Sequence, residues 1–469
     1  SISAQQKFVH SGGNYPLTSY GRLNLYSLFA ELAKNTINTK GNAGLIIPTG
    51  IAIDSFNQHF FSDLVRQNRI LALYDFENRD RIFSDIYYRV RFLIFVISGG
   101  SVNKTKFAFF LTKPSQVEKE ENIFFLTPQQ IQLLNPNSLT CPTFRTHKDS
   151  LLTVSIYQRF PVFEDEQKQS NPWKASFMLM FMMSSDSALF LDKKLGDSLP
   201  LYEAKMIQQF DHRFGFYTQE MIERDQNSFK AIPHPDVEQK KNPDFQVNPR
   251  YWIDWKEVDN KLSGRWDKQW LLGWRDITSA TNERSVIFSV LPKAAVGHTV
   301  PLLFPNVKSG QLISCLLGSL NSLIFDLVAR QKIGGTHLTF TVFRQLPVIP
   351  PDRYSRADID FIAPRVLELT YTAWDLQPFA QDMGYDGEPF IWNPERRALL
   401  RAELDAYYAH LYGLTRDELR YILDPADIYG PDFPSETFRV LKNNEMRQFG
   451  EYRTQRLVLA AWDQLFGSS

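Results

Sequence analysis

Four groups of side chains in this sequence are of types that bind planar or anionic ligands. The first lies in a polar stretch, residues 77–88, where Phe83, Tyr87 and Tyr88 stand among Arg79 and Arg81, with Arg89 and Arg91 just beyond. Aromatic faces can hold a planar ring, and guanidinium groups can meet phosphates. The same rings can instead plug the end of a sheet. The same arginines can pair with Asp75, Glu77, Asp80 and Asp85, as surface charges commonly do. The second group is PLYEAKMIQQFDHRF, residues 200–214, with Lys205, His212 and Arg213 beside apolar neighbours. That mixture suits a ligand-facing edge, or a structural pair between His212 and Asp211.

The third group spans residues 251–298 and holds five of the nine tryptophans: Trp252, Trp255, Trp266, Trp270 and Trp274. They interleave with Lys256, Lys261, Arg265, Lys268, Arg275 and Arg284. Aromatic and basic interleaving suits contact with nucleic acid. Acidic residues nearly match the basic ones, so a folded edge laced with ion pairs remains open. Arg275, Thr278, Asn282 and Arg284 are residue types that read base edges or hold phosphates. In the fourth group His337, Thr339 and Thr341 alternate with Leu338, Phe340 and Val342. This predicts a half-buried strand whose polar face meets either a ligand or water. No second His lies at metal-ligand spacing from His212, so no metal is expected. PDVEQK, residues 235–240, contains an acid-x-Lys element of the kind nucleases use, but the Asp partner for metal binding normally sits much further upstream than Asp236, so it reads as coincidence.

The elements that must carry these groups are legible in the hydrophobic pattern. Residues 44–47 form a short apolar run stopped by Pro48, which predicts a buried strand. Residues 70–76 and 89–97 predict two more, joined as a hairpin by the polar stretch. Before them, Leu25, Tyr26, Phe29, Leu32 and Ala33 share one helical face. Strand, helix, strand, loop, strand is the closing half of an open α/β sheet, and residues 104–111 predict an extra strand. A Pro- and Asn-punctuated connector with one short helix follows over 126–149. The Met-rich run 173–190 predicts a buried strand with Met178, Met180, Met182 and Met183 as core filling. Residues 228–249 read as loop and 285–291 as a strand. Residues 310–331 predict one long helix ended by Gly334 and Gly335. Beyond Pro351 helices dominate, one opened by a capping box from Thr415 to Glu418.

Composition sets outer limits. At 469 residues the chain is too long for one core. Lys plus Arg and Asp plus Glu are both 52, so any nucleic-acid surface must be local. Two cysteines far apart argue against a disulfide scaffold and suit a reducing, cytoplasmic setting. No apolar run reaches membrane-span length, so no membrane partner is expected. The first residues read as a loop without an initiator Met, which suggests a fragment or one polypeptide of a split protein.

LYSLFAELAKNTINTKGNAGLIIPTG resembles the segment that follows the catalytic motif of adenine-N6 DNA methyltransferases, with Tyr26, Phe29, Gly44, Ile47 and Pro48 at the matching positions. IFSDIYYRVRFLIFVIS resembles their later loop-and-strand motif, in which an aromatic residue stacks on the flipped adenine; Phe83 matches it. The segment 200–214, the stretch WRDITSATNER and the C-terminal helical segments resemble the recognition and tail regions of large gamma-type enzymes. Those belong to type IIG restriction–modification and to phage-defence systems such as DISARM and BREX. The Gly-rich cofactor turn and the Asn/Asp-Pro-Pro-aromatic motif of that family are missing; Pro350–Pro351 lacks the preceding Asn or Asp.

The resemblance implies an α/β plus α+β chain: the C-terminal half of a Rossmann-like methyltransferase sheet (1–112), a connector (113–164), a mixed α/β target-recognition domain (165–350) and a helical C-terminal region (351–469). It implies double-stranded DNA as ligand, and Phe83, Tyr87 and Tyr88 as one wall of a flipped-base pocket. It implies DNA contacts by Arg79, Arg81, Lys205, Arg213, Arg265, Lys268, Arg275, Asn282, Arg284, His337 and Thr339. S-adenosylmethionine would be bound by an N-terminal part of the same enzyme, leaving this chain inactive alone, and other defence-system proteins are further partners. The alternative functions are a non-catalytic DNA-specificity subunit and a structural component of a defence complex.

Overall fold

The computed structural model describes residues 2–20, 23–88, 90–223, 231–333, 335–433 and 436–467. The chain divides into two compact units. One comprises Ser1–Arg159, Asp165–Ser170 and Asp432–Ser435; the other comprises Phe160–Glu164, Asn171–Pro431 and Glu436–Ser469.

The first unit is built on a five-stranded sheet in the order β1-β3-β2-β4-β5. Its strands are β1 (Asn42–Pro48), β2 (Ile70–Glu77), β3 (Arg91–Ser98), β4 (Thr105–Leu111) and β5 (Phe124–Leu126). β3 lies antiparallel between β1 and β2, with Leu45 and Leu73 both opposite Phe95. β2 runs parallel to β4, and β5 closes antiparallel on β4. The central strands are rich in Leu, Ile and Phe because both of their faces are covered; Leu73, Phe95, Ile97 and Phe107 have no exposure. The expected hairpin of β2 and β3 is present. Helix Gln58–Arg66 packs a face of Phe60, Phe61, Leu64 and Val65 inward, with Phe61 stacked on Phe95 at 6.2 Å. The stretch read as a connector carries β5 and the helices Pro128–Leu134 and His147–Arg159, all but its last residues within this unit.

β1 and the helix before it depart from ordinary burial. Among the described residues β1 has one strand neighbour, β3, and ends the sheet. Along it Asn42, Gly44, Ile46 and Pro48 are exposed, Ile46 by 63%. Helix Leu25–Thr36 carries its apolar face outward: Leu25, Phe29 and Leu32 are 73, 62 and 43% exposed. Its inward side is partly polar. Glu31 accepts hydrogen bonds from the Thr18 hydroxyl at 2.7 Å and the Leu17 amide, and Lys34 pairs with Asp63 at 2.8 Å. A large apolar stripe facing water is uncommon on a finished surface.

The second unit holds two small sheets. One has the order β10-β9-β12-β6, from β6 (Ser176–Met178), β9 (Trp270–Trp274), β10 (Phe288–Pro292) and β12 (Leu302–Phe304). The other joins β11 (Ala295–Val296), β7 (Leu199–Tyr202) and β8 (Trp252–Ile253). Helices dominate from Gly310 onward, including Arg356–Thr370, Pro394–Leu411 and Arg453–Phe466.

Several sequence expectations are corrected here. The Met-rich run is strand only over Ser176–Met178. Met178 and Met180 are buried, whereas Met183 is 42% exposed. The long helix is two, Gly310–Leu320 and Leu323–Arg330, bent by 53°. At the break Asn321 pairs with β10 as a strand residue would: its side chain accepts from the Phe288 amide and donates to the Phe288 carbonyl. Ser322 then caps the second helix, so the backbone groups freed by the bend find partners. The strand expected over 337–342 is instead helix Phe340–Arg344, capped by Thr339. Phe340 and Phe343, three apart, pack on Phe177 and Trp274. Among the described residues no single helix is long and apolar enough to cross a membrane.

Candidate functional site

The polar stretch forms a loop at the end of the sheet where β2 finishes and β3 begins. Its geometry is set by Asn78, which has no exposure. The Asn78 amide group donates to the carbonyls of Phe83 and Ile86 at 2.9 Å each, and its side-chain oxygen accepts from the Phe83 amide at 2.9 Å. Arg81 supports the turn in a left-handed conformation, φ +54°. Phe83 is half-buried and leans edge-on against Phe92 at 5.0 Å, on a cluster of Phe76, Phe92, Ala108 and Leu111. Tyr87 is 59% exposed and meets Tyr88 edge-on at 4.7 Å. Arg79 is exposed and pairs with Glu77, and Arg81 is exposed with one contact to the Ser84 carbonyl. Arg89 lies outside the described residues.

Beneath the loop a buried acid ties three strand ends together. Asp75 accepts from the Thr49 hydroxyl at 2.7 Å, just after β1, and from Arg91, which opens β3. It also accepts from the Phe110 amide at 3.4 Å, near the end of β4. Phe110 sits at φ +59° where the pairing of β2 with β4 slips by a residue. That conformation costs a non-glycine residue about 1 kcal/mol, and the carboxylate bond helps hold it. The Arg91 and Arg145 guanidinium carbons lie 4.9 and 4.1 Å from the Phe110 ring centre. Burial pushes the nearby Cys141 thiol well up, and the Asp75 charge adds to it. A charged residue inside the apolar run ALYDFE was a visible signal of such a pair. Asn78 and Phe110 carried no signal of their own.

In the second unit the candidate residues separate into inside and outside. Arg213 has no exposure; its guanidinium donates to the carbonyls of Lys240, Asn242, Phe245 and Thr372. His212 is 1% exposed and pairs with Asp375 at 2.9 Å, while Asp211 pairs with Lys240. The ligand-facing edge expected at 200–214 is therefore interior at these positions. Arg275 is half-buried, bonded to the Ile207 carbonyl and pushed down to about 10 by burial. Arg284 is 6% exposed and paired with Asp326 at 3.2 Å. Trp270 and Trp274 have no exposure, and their indole N–H groups donate to Asp382 and the Leu338 carbonyl. The interleaving is core packing over β9, which is buried at every position, whereas Trp255, Lys256 and Arg265 are exposed.

Outside, the connection between β9 and β10 brings together exposed Ile277, Thr281 and Asn282. Ile277 bridges His337, and His337 pairs with Asp276 at 2.6 Å. Thr339 is exposed, but its hydroxyl is engaged in capping. Arg265 is exposed and its side chain makes no ion pair among the described residues. Lys205 and Lys268 are partly exposed, paired with Glu203 and Asp382. Asp236, two residues before the acid-x-Lys element Glu238–Lys240, caps helix Val237–Lys241. Among the described residues no group of three or more His, Cys, Asp or Glu could hold a metal ion.

No family model matches the chain, and neither does any curated protein. Among solved structures it is similar to the type IIG restriction endonuclease BpuSI, at 12% identity over 91% of this chain and 53% of that one, TM-score 0.29. It is also similar to the type IIL restriction-modification enzyme MmeI in complex with DNA, at 10% identity over 97% and 55%, TM-score 0.37. The chain thus spans about half the length of these structures. At such scores neither likeness fixes its fold or its function.

Proposed function

We propose that this chain is the C-terminal part of a site-specific DNA adenine-N6 methyltransferase of a restriction–modification or phage-defence system. On this reading the first unit finishes the catalytic sheet and supplies one wall of a flipped-base pocket through Phe83. The second unit recognises the DNA target through the Ile277–Asn282 connection and His337.

The observation that supports it most is the open side of the first unit. Among the described residues β1 offers an unpaired edge, and the apolar side chains of Leu25, Phe29, Leu32 and Ile46 face outward beside it. A further strand and its covering layer would complete both at once, and an N-terminal catalytic part would bring them. The order β1-β3-β2 and the loop at the end where β1 and β2 finish fit the closing half of such a sheet.

On this reading S-adenosylmethionine is held outside this chain. Asp75, the acid within that end of the sheet, is fully buried and already engaged by Thr49, Arg91 and Phe110. The cofactor is therefore assigned to the N-terminal part, and this chain takes a binding and positioning role. The test is methyl transfer from radiolabelled S-adenosylmethionine to unmethylated bacteriophage DNA. The longer polypeptide should form N6-methyladenine, and this chain alone should not. A longer polypeptide that binds DNA without methylating it would favour the specificity-subunit reading.

A further inference from the structure

We infer that Asn78 is a positioning residue for the proposed reaction, fixing Phe83 where it can stack on the extruded base. This rests on the base-pocket reading of the loop. Phe83 has one packed neighbour ring, Phe92, and otherwise belongs to an irregular segment. A half-buried ring on an irregular segment samples many positions unless its backbone is pinned. Asn78 supplies the pin from inside the sheet. It is the first residue after β2, has no exposure, and its own amide donates to the Val90 carbonyl at 3.0 Å. That bond closes the base of the loop. Its side chain then uses both amide hydrogens and its oxygen on Phe83 and Ile86. The Arg81 amide takes the Asn78 carbonyl.

Only a primary amide at this length supplies two donors and an acceptor together. Aspartate has the same shape but, when ionised, no donor, and would face two carbonyl oxygens. Alanine leaves the Phe83 and Ile86 carbonyls without their protein donor. The loop thus has one residue through which its reach is set, and that residue touches no ligand.

The test has two readouts. In this chain, Asn78→Ala and Asn78→Asp are compared with the parent by amide hydrogen exchange. Exchange of the Phe83 amide should rise at least about tenfold in Asn78→Ala, while Leu73 and Phe95 stay protected. An unchanged Phe83 rate, or equal loosening of Leu73 and Phe95, overturns the proposal. In the longer polypeptide, Asn78→Asp should lower kcat for methyl transfer to unmethylated bacteriophage DNA about tenfold, with KM within about twofold. Added to Phe83→Ala it should cost nothing more, since Asn78 acts through Phe83. Additive losses overturn it. If Phe83→Ala itself methylates at full rate, the base-stacking reading fails, and with it the catalytic part of this inference, while the exchange readout still decides whether Asn78 fixes the loop.

Discussion

At the scale of single residues the two units divide their polar side chains differently from what residue type suggests. Phe83 is half-buried and pinned, which suits the base-stacking role proposed for it. Replacing it by Ala should lower kcat for adenine methylation by about 10- to 100-fold, the worth of one base–aromatic stack. Duplex affinity in a gel-shift titration should change less than about twofold. Arginines show the opposite lesson. Arg213 was a reasonable phosphate ligand by type, yet it spends its donors on four interior carbonyls. Arg213→Ala should therefore cost about 2–4 kcal/mol of stability in a urea melt. Arg265, exposed at the surface, behaves oppositely: Arg265→Ala should leave the melt unchanged and reduce the salt slope of DNA binding by about one.

At the scale of elements, pattern and outcome can be compared directly. The strands at 70–76 and 89–97 were legible because buried strands read as continuous apolar runs. Helix Leu25–Thr36 was legible as a helix, but its apolar face points outward rather than into the core, since periodicity gives a face and not its direction. The bend at Asn321 was not legible, because it depends on β10 lying alongside to receive the Asn321 side chain. The alternation from His337 to Val342 misled because Thr339 is as good a helix cap as a strand residue, and the Phe340 and Phe343 pair suits a helical turn. In the site, the aromatic loop was visible but its anchors were not. Asp75 joins the ends of β1, β3 and β4 through side-chain partners that no local pattern relates. Asp75→Asn leaves Arg91 without its counter-charge at a site one-quarter exposed. It should destabilise the first unit by about 2–3 kcal/mol, measured as an earlier urea transition with an unchanged slope.

At the scale of the whole molecule the net charge is zero, so any nucleic-acid surface must be local. In the second unit the acids Asp211 and Asp375 hold interior charge together. Burial pushes both carboxyls up, but Lys240 and Arg397 around Asp211, and His212 and Arg213 around Asp375, push them further down, so both end below the usual range. Their contribution to stability is therefore complete above the unfolded value of about 3.9 and is lost as pH falls through the lowered folded values. The melting temperature of the second unit's transition should be insensitive to these acids between about pH 5 and 8 and fall steeply below about pH 4; Asp211→Asn should flatten that fall.

The first unit carries the central claim, that β1 is an interior strand of a larger sheet. Amide hydrogen exchange across Asn42–Pro48, compared between this chain and the longer polypeptide, tests it most directly. The β1 amides that do not face β3 should exchange freely here and gain at least about 100-fold protection in the longer protein. Equal exchange in both would mean that nothing pairs with this edge, and the methyltransferase reading would be contradicted.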